Sequence, residues 1–467
     1  YFSLLTLSFF MFYSCNNTKD AILIPEYLIS IEPASNKNAP SLQSFSHGVS
    51  GSEWLLFAGR TNAKDSLIGG LHDMTGDSNY ANTSFPPTSF NENIYVYDPI
   101  IDAVPTSITI SEMKKIVSDN FKSYNTDTIT KYLSVFKNTN ALVKQVDEYL
   151  YVIGGYGAKD FKTPKKEYIT YDHIARIHVP SMIQLVKGNY AGVKESKLFA
   201  FTQNKSLIST GGELHSFDGT FYLVGGHNFT SNSQKYLDAV YSFSFEKEKE
   251  PYVLNLSMNT PISDVSDPKA ASADDISIFR RRDGPVTPGL FKNDAGKIQF
   301  GLTFYAGVFT PSTTAWETAI YVHPGIGNEY TIDANYNQNH QSIYACADLT
   351  LFDSTASTVH TFLLGGIGND TLHPMMGYSD SAATMLQAFT NNGAHIQYDM
   401  NAKTSAAPEV LVDVFPSGQH KLYGAESTLI PANNANIKYV STGPSYNADV
   451  SEIIDLGRST FTNDQLE

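Results

Sequence analysis

The chain has 467 residues, of which 42% are hydrophobic and 17% are charged, and its formal net charge is −15. This hydrophobic share is enough for a large core and excludes an intrinsically disordered chain. The acidic balance argues against nucleic acid as a partner, because phosphate binding requires clustered Lys and Arg. The 28 tyrosines, 28 phenylalanines and 32 glycines favour pleated sheets joined by tight turns. We therefore expect an all-β protein.

An apolar segment over residues 1–13 opens the sequence. It has the length of the hydrophobic region of a signal peptide and is too short to span a bilayer. Ser14-Cys15 follows it, and a small residue before a cysteine at this point resembles the lipobox of bacterial lipoproteins. The resemblance implies that residues 1–15 are a signal peptide and that Cys15 carries a lipid anchor. A plain secretory signal, with Cys15 incidental, is the alternative.

A two-part unit recurs along the rest of the chain. An apolar strand ends at a glycine, and a second strand with aromatic residues follows after a loop. The first parts end at Gly59, Gly155, Gly226, Gly307, Gly366 and Gly443, and the second parts are residues 94–98, 168–172, 240–243, 319–322, 395–399 and 452–455. The two parts alternate strictly. One such sheet cannot bury both of its faces, whereas sheets stacked radially can. The sequence therefore predicts a β-propeller with six blades.

Further strands complete each predicted blade. Inner strands are expected before the glycines at residues 42–49, 141–145, 213–216, 286–291, 343–350 and 426–430, and outer strands at 107–110, 176–179, 252–256, 330–333 and 410–415. The last unit lacks an outer strand, so the apolar residues 21–31 are predicted to complete it and close the ring, which removes exposed edges. This gives an N-terminal linker and ring-closing strand over 16–41, a propeller over 42–457 and a tail over 458–467. A short helix is expected over 111–125.

The glycine pairs and the aromatic strands together resemble kelch repeats. The unit with Gly154-Gly155 and Tyr171-Asp172 matches that pattern well. The Trp that the family carries a few residues beyond Tyr-Asp is absent, since the chain has only two tryptophans, Trp54 and Trp316. The resemblance implies a six-bladed kelch-type propeller, and it implies a scaffold rather than one particular function.

Polar residues near the inner strands are the candidate ligand-binding residues, because propellers bind ligands where these strands and their loops converge around the axis. A ring of donors and acceptors suits a polar ligand such as a sugar. The alternative is that these residues line a water-filled channel. The candidates are His47, Asn140, Glu213, Arg282, Asp283, His340 and Tyr423.

One basic triplet, Arg280-Arg281-Arg282, stands out in this acidic chain. Arginine binds carboxylates and phosphates through two parallel hydrogen bonds. In a strand, alternate residues point in opposite directions, so at most two of the three would share a target. The alternative is that this loop pairs with the nearby acidic residues between 264 and 275.

No catalytic or metal-binding motif is present in the sequence, and we predict neither a metal nor a cofactor. The spacings His-x-His and His-Glu-x-x-His and paired cysteines are absent. We expect a cell-envelope binding protein that recognises a protein or a glycan through its propeller loops and touches the membrane only through its lipid. The alternative location is secreted. The alternative functions are an enzyme acting on a sugar or acidic sugar at the channel mouth, with carboxylates from separate blades, and a structural subunit of an envelope assembly.

Overall fold

The computed structural model describes residues 29, 31, 36–61, 85, 87–124, 126–161, 167–230, 233–246, 252–265, 277–311, 315–325, 329–338, 341–353, 356–367, 390, 392–406, 408–411, 414–415, 427–430, 439–440 and 450–455. These residues form five sheets, three with four strands and two with seven. The small, mostly antiparallel sheets follow one another as in a β-propeller, which confirms the predicted all-β, propeller-like architecture. The predicted signal peptide, the anchor at Cys15 and nearly all of the predicted ring-closing strand lie outside the described residues.

The first two sheets have four strands each. The first sheet has the order β1 (Ser46–Ser50), β2 (Glu53–Phe57), β3 (Asn93–Tyr97) and β4 (Thr106–Thr109). The second sheet contains β5 (Leu142–Val146), β6 (Tyr149–Ile153), β9 (His173–His178) and β10 (Phe199–Gln203). Its third strand was expected at residues 168–172, and this prediction is wrong. There the strands β7 (Tyr156–Ala158) and β8 (Tyr168–Thr170) form a hairpin that joins the third sheet instead.

The other three sheets follow the same plan. The third contains β11 (Thr210–Phe217), β12 (Thr220–Thr230), β13 (Ser233–Tyr236), β14 (Tyr241–Phe245) and β15 (Leu256–Met258). The fourth contains β16 (Val286–Lys292), β17 (Ile298–Phe304), β18 (Ile320–Val322) and β19 (Tyr330–Ile332). The fifth contains β20 (Ala347–Asp353), β21 (Thr358–Leu364), β22 (Gly393–Asp399), β23 (Thr404–Ser405), β24 (Glu409–Leu411), β25 (Tyr439–Val440) and β26 (Val450–Asp455).

Three α-helices pack against the first two sheets: α1 (Ile110–Asn120), α2 (Thr126–Lys131) and α3 (Val179–Val186). The expected helix over 111–125 corresponds to α1. Thr109 caps its N-terminus, because the Thr109 hydroxyl accepts from the N–H of Glu112 at 3.0 Å and the Glu112 carboxylate accepts from the N–H of Thr109 at 2.8 Å. The buried side chains of the helices share one hydrophobic cluster with the first and second sheets.

Consecutive sheets pack against each other through apolar side chains. One cluster joins the first and second sheets, a second cluster joins the second and third, and a third cluster joins the third, fourth and fifth. Each sheet therefore buries apolar side chains against at least one neighbour, as the repeat predicts.

The glycines that mark the units make the same backbone contacts in sheet after sheet. The N–H groups of Gly59, Gly155, Gly226 and Gly307 donate to the carbonyls of Asn138, Ser209, Arg281 and Ile343, at N···O distances of 2.8, 2.9, 2.8 and 3.1 Å. Each acceptor lies in the segment that leads into the first strand of the next sheet. The carbonyls of Gly59, Gly155, Gly226, Gly307 and Gly366 accept from the N–H groups of Asn91, Tyr171, Leu237, Trp316 and Thr390. We call this pair of contacts the glycine link; it joins each unit to its own later strands and to the next unit.

Backbone conformation explains why glycine stands at these positions. Gly154 and Gly155 have φ angles of 66° and 84°, in the left-handed region that glycine adopts at low cost. At Gly154 a Cβ atom would lie 2.1 Å from the carbonyl oxygen of Ser209, which belongs to the next sheet. Two neighbouring sheets can approach this closely only because no side chain is present.

The last predicted unit does not form a sheet of its own among the described residues. Strands β25 and β26 pair with each other, but β26 also pairs in parallel with β20 and so belongs to the fifth sheet. Residues 427–430, part of the expected inner strand 426–430, are not a strand. The hydroxyl of Ser427 instead accepts a hydrogen bond from the N–H of Ala347 at 3.1 Å, at the start of β20. Gly443 lies outside the described residues.

The close approach at Gly154 predicts a difference between two Gly→Ala variants. Gly154 and Gly219 both have positive φ (66° and 74°), so each alanine introduces backbone strain of about 1–2 kcal/mol. Nothing lies within 4 Å of a Cβ at Gly219, whereas G154A must push the next sheet away, which adds about 1–3 kcal/mol. Chemical denaturation should therefore show that G154A is clearly less stable than G219A. Equal destabilisation would contradict the glycine link as a tight contact.

Candidate functional site

Polar residues from four sheets meet where the inner strands surround the axis. His47 on β1, Lys144 on β5, Glu213 on β11 and Asp348 on β20 form what we call the channel cluster. Lys144 interacts electrostatically with each of the other three, and Glu213 also interacts with Asp348. All four side chains keep partial exposure although protein surrounds them. We conclude that they line an internal channel that water can reach.

The carboxylates and the lysine of the cluster have pKa values that converge near neutrality. Burial raises the pKa of Glu213 to about 8, and the carboxylates of Asp348 and Asp283 add to this shift. Burial raises the pKa of Asp348 to about 7, against the opposing effect of Lys144. Burial also lowers the pKa of Lys144 to about 8, which Asp348 and Glu213 oppose. The cluster can therefore take up or release protons over a narrow range around physiological pH.

The histidines near the cluster are neutral at that pH. Burial, and then the charge of Lys144, lower the pKa of His47 to about 4 and that of His215 to about 3. Nε2 of His215 lies 2.9 Å from the carbonyl oxygen of Val286 on β16. Because a carbonyl oxygen only accepts, Nε2 carries the proton and donates. The channel thus contains neutral imidazoles beside charged groups.

Side chains also satisfy backbone groups of the inner strands. The Gln145 amide accepts from the N–H of Val49 at 2.7 Å and donates to its carbonyl at 2.8 Å, so it links β5 to β1. His215 links β11 to β16 in a similar way. Buried backbone groups without partners are costly, and these contacts explain why polar side chains occur on inner strands.

Asn140 and Asp283 lie at the end of the channel where the inner strands begin, which we call the channel mouth. The N–H of Asn140 donates to the carbonyl of Ser44 at 3.2 Å, and the carbonyl of Asn140 accepts from the Thr210 hydroxyl at 3.0 Å. The N–H of Asp283 donates to the carbonyl of Gly211 at 2.8 Å. Both residues therefore lie where neighbouring sheets meet, and Asp283 interacts with Glu213 of the cluster.

The three consecutive arginines have three different environments. Arg281 is fully buried and donates to the carbonyls of Ile278, Ala306 and Thr318 at 2.8, 3.1 and 2.7 Å, so its role is structural. The Arg282 guanidinium forms an ion pair with the Asp283 carboxylate and donates to the Tyr236 hydroxyl at 3.3 Å. Arg280 lies 4.3 Å from the centre of the Tyr236 ring.

The alternative interpretation, that this loop pairs with the acidic residues before it, does not hold at Asp264, the one of those residues that the structure describes. The carboxylate of Asp264 accepts from the hydroxyl of Ser277 at 2.5 Å and the N–H of Ile278 at 2.9 Å, and thereby fixes the turn that precedes the arginines. Residues 280–285 also precede β16 rather than forming a strand, so the alternation argument does not apply to them.

Sequence reasoning located part of the site. The structure places His47 and Glu213 in the channel cluster and Asn140, Arg282 and Asp283 at its mouth, whereas His340 and Tyr423 lie outside the described residues. Lys144 and Asp348 were missed. Each is a charged residue within a predicted inner strand, and that signal could have identified them.

The described residues contain no group of three or more His, Cys, Asp or Glu side chains arranged to hold a metal ion. Cys346 is free, and burial followed by the charge of Asp348 raises the pKa of its thiol well above the usual value, which is typical of an unreactive cysteine. In the parts of the chain that the structure covers, no helix is long and apolar enough to cross a bilayer.

A scan against models of known protein families and a search of curated proteins found no match to this chain.

The raised pKa values of Glu213 and Asp348 predict a contribution to stability that declines as pH rises from 6.5 to 8. In this range the folded protein holds protons that the unfolded chain releases, because the ordinary pKa values are 4.5 and 3.8. For each proton, the free energy of unfolding can change by at most about 1.4 kcal/mol per pH unit. Exposure of the groups to the channel makes the change smaller. Lys144, whose pKa falls from 10.5 to about 8, and the buried histidines His47 and His215 contribute with the opposite sign, so the effect of the carboxyl groups is measured as a difference between variants.

The measurement is the free energy of unfolding at several pH values. The variant E213Q removes one of the two groups and should flatten the decline between pH 6.5 and 8. Asp294→Asn is the matched control, because the Asp294 side chain is 99% exposed, and it should keep the wild-type slope. Parallel profiles for E213Q and the wild type would show that Glu213 is ionised in the folded protein over this range.

Proposed function

We propose that this protein is a six-bladed kelch-type propeller, held at the cell envelope by a lipid on Cys15, that binds a glycan at its channel mouth. The observation that carries the proposal is the channel cluster, with Asn140, Arg282 and Asp283 at the mouth above it. Five units share the glycine at equivalent positions, which supports the kelch assignment. In the proposal a sixth unit, containing Gly443, completes the ring.

The chemistry of the cluster favours a glycan over a protein ligand. A sugar hydroxyl both donates and accepts hydrogen bonds. The channel offers acceptors at Glu213 and Asp348, donors at Lys144, and a neutral imidazole at His47, all partly exposed in a confined space. The end of a polyhydroxylated chain can enter such a space, whereas a folded protein surface would contact only the outer loops. The loop insertions over residues 60–93 and 367–394, rich in Asn, Ser and Thr, would extend the contact surface.

Near-isosteric substitutions in the cluster test this proposal. The wild-type protein should bind a subset of a glycan array, and E213Q and D348N should each bind those glycans about tenfold or more weakly, because each replaces a carboxyl group that hydrogen-bonds the sugar. Asp294→Asn should bind like the wild type. No binding by the wild type would argue against a glycan ligand. If E213Q and D348N both bind the glycans as tightly as the wild type, the site lies elsewhere.

One observation favours a second candidate, an enzyme acting on a sugar or acidic sugar. Glu213 and Asp348 have pKa values raised toward neutrality in the same channel as Lys144, and efficient general acids and bases have pKa values near the working pH. In this reading one carboxyl group donates a proton to the bound sugar while the other accepts one.

Proton NMR of the protein incubated with neutral sugars and uronic acids tests the enzyme reading. Turnover should show a pH profile governed by groups with pKa values near 7 and 8, and E213Q should lower its rate about 100-fold or more. Absence of turnover for every sugar that the array shows to bind would leave a binding protein.

A further inference from the structure

An apolar loop projects from the first sheet between β3 and β4. Its residues Ile100, Ile101 and Val104 have 58%, 70% and 78% of their surface exposed, which makes them the three most exposed large apolar residues in the described part of the chain. They lie within five consecutive positions. Clustered apolar exposure of this kind marks interaction surfaces with proteins or membranes, whereas single exposed apolar residues are ordinary.

Hydrogen bonds fix the conformation of this loop. The carboxylate of Asp98 accepts from the N–H of Ile100 at 2.9 Å and from the hydroxyl of Ser52 at 2.6 Å. The carboxylate of Asp102 accepts from the hydroxyl of Tyr97 at 2.8 Å. The carboxylates are thus bonded within the protein, while the apolar side chains point to solvent.

The N-terminal segment of the chain is bound to the same loop. The Asn36 side chain donates to the Tyr97 hydroxyl at 2.7 Å and to the carbonyl of Pro99 at 2.8 Å. The N–H groups of Lys37 and Asn38 donate to the Asp102 carboxylate at 3.0 and 3.2 Å. Residues 36–38 therefore lie beside the loop that carries the exposed apolar residues.

The length of the segment that precedes Asn36 links the loop to the anchor of the proposed function. Twenty residues separate Cys15 from Asn36. A coil of that length spans about 25 Å on average, and even a fully extended chain reaches only about 70 Å. A lipid on Cys15 would keep this side of the first sheet close to the bilayer.

We propose that the loop over residues 98–105 inserts Ile100, Ile101 and Val104 into the interface of the membrane that holds the anchor. This inference rests on the lipid anchor of the proposed function. A lipid at the N-terminal segment holds the protein at the membrane, and a second membrane contact strengthens the attachment. The loop supplies that contact because its apolar side chains leave water when they enter the membrane. The net charge of −15 causes little repulsion from a membrane of zwitterionic lipids. It also fixes which side of the propeller faces the lipid.

The experiment uses the full-length protein reconstituted into phosphatidylcholine vesicles that contain lipid brominated on its acyl chains. A fluorescent label is placed at Ile101→Cys in a C346S background, and the C346S protein without the introduced cysteine is labelled in parallel, because Cys15 keeps a reactive thiol wherever it is not lipidated. The matched control carries the label at Ile332→Cys, because Ile332 is also exposed (45%) and lies on β19 of the fourth sheet. The label at 101 should be strongly quenched by the brominated lipid, and the label at 332 should be unaffected.

Labelling with radioactive palmitate, measured in parallel, separates the loop from the anchor. Palmitate incorporation that C15S abolishes, together with quenching at 101 alone, supports both proposals. Incorporation without quenching at 101 overturns the loop contact and leaves the anchor. Quenching at 101 without incorporation supports the loop contact and overturns the anchor. Absence of both overturns both, and equal quenching at 101 and 332 overturns a specific loop contact.

Discussion

The hydrogen bond from a glycine N–H to the chain entering the next sheet is the contact on which the rest of this structure depends. It recurs at Gly59, Gly155, Gly226 and Gly307 with nearly the same length. A side chain at the neighbouring Gly154 would collide with the backbone of the next sheet. The contact therefore sets how closely successive sheets approach, and the hydrophobic clusters between the sheets form at that spacing.

The same spacing explains the electrostatics of the channel. Bringing the inner strands together places Lys144, Glu213 and Asp348, from three sheets, in one confined space. Desolvation then dominates all three pKa values and moves the acids up and the lysine down. No single strand contains this arrangement, because it arises only when separate units are held around an axis. The polar ring is a property of the assembly of units.

Much of the fold could be predicted from sequence because the repeat is local. An apolar strand ending in glycine recurs visibly, and β2, β6, β12 and β21 lie where it predicts. The third strand of the second sheet could not be predicted in this way. Residues 168–172 carry the aromatic pattern of that strand, yet they form a hairpin with β7 and pair with β12. Tertiary contacts decide which strand a short aromatic segment pairs with, and these contacts cannot be predicted from the periodicity of the sequence.

In the candidate site, too, residues marked by the local strand pattern could be predicted, and residues placed by tertiary contacts could not. Glu213 and Asp283 were found because they stand at or beside inner strands. Lys144 was missed because a lysine in a strand is usually exposed to solvent. Strand alternation is the only geometry that the sequence offers for the arginine triplet, whereas Asp264 and Ser277 fold the preceding chain into a turn and Arg281 lies in the core. Such side-chain contacts cannot be predicted from the composition of the chain or the spacing of its residues.

The carbonyl half of the glycine link also closes the base of each variable loop. Trp316 follows its partner Gly307 by nine residues, and Asn91 follows its partner Gly59 by thirty-two. In both cases one backbone hydrogen bond of 2.9 to 3.0 Å joins the two ends. Loop-closure entropy grows only with the logarithm of length, so the longer segment costs about 1 kcal/mol more. The segments closed by these bonds can thus lengthen, shorten or be exchanged during evolution while the sheets beneath them keep their spacing.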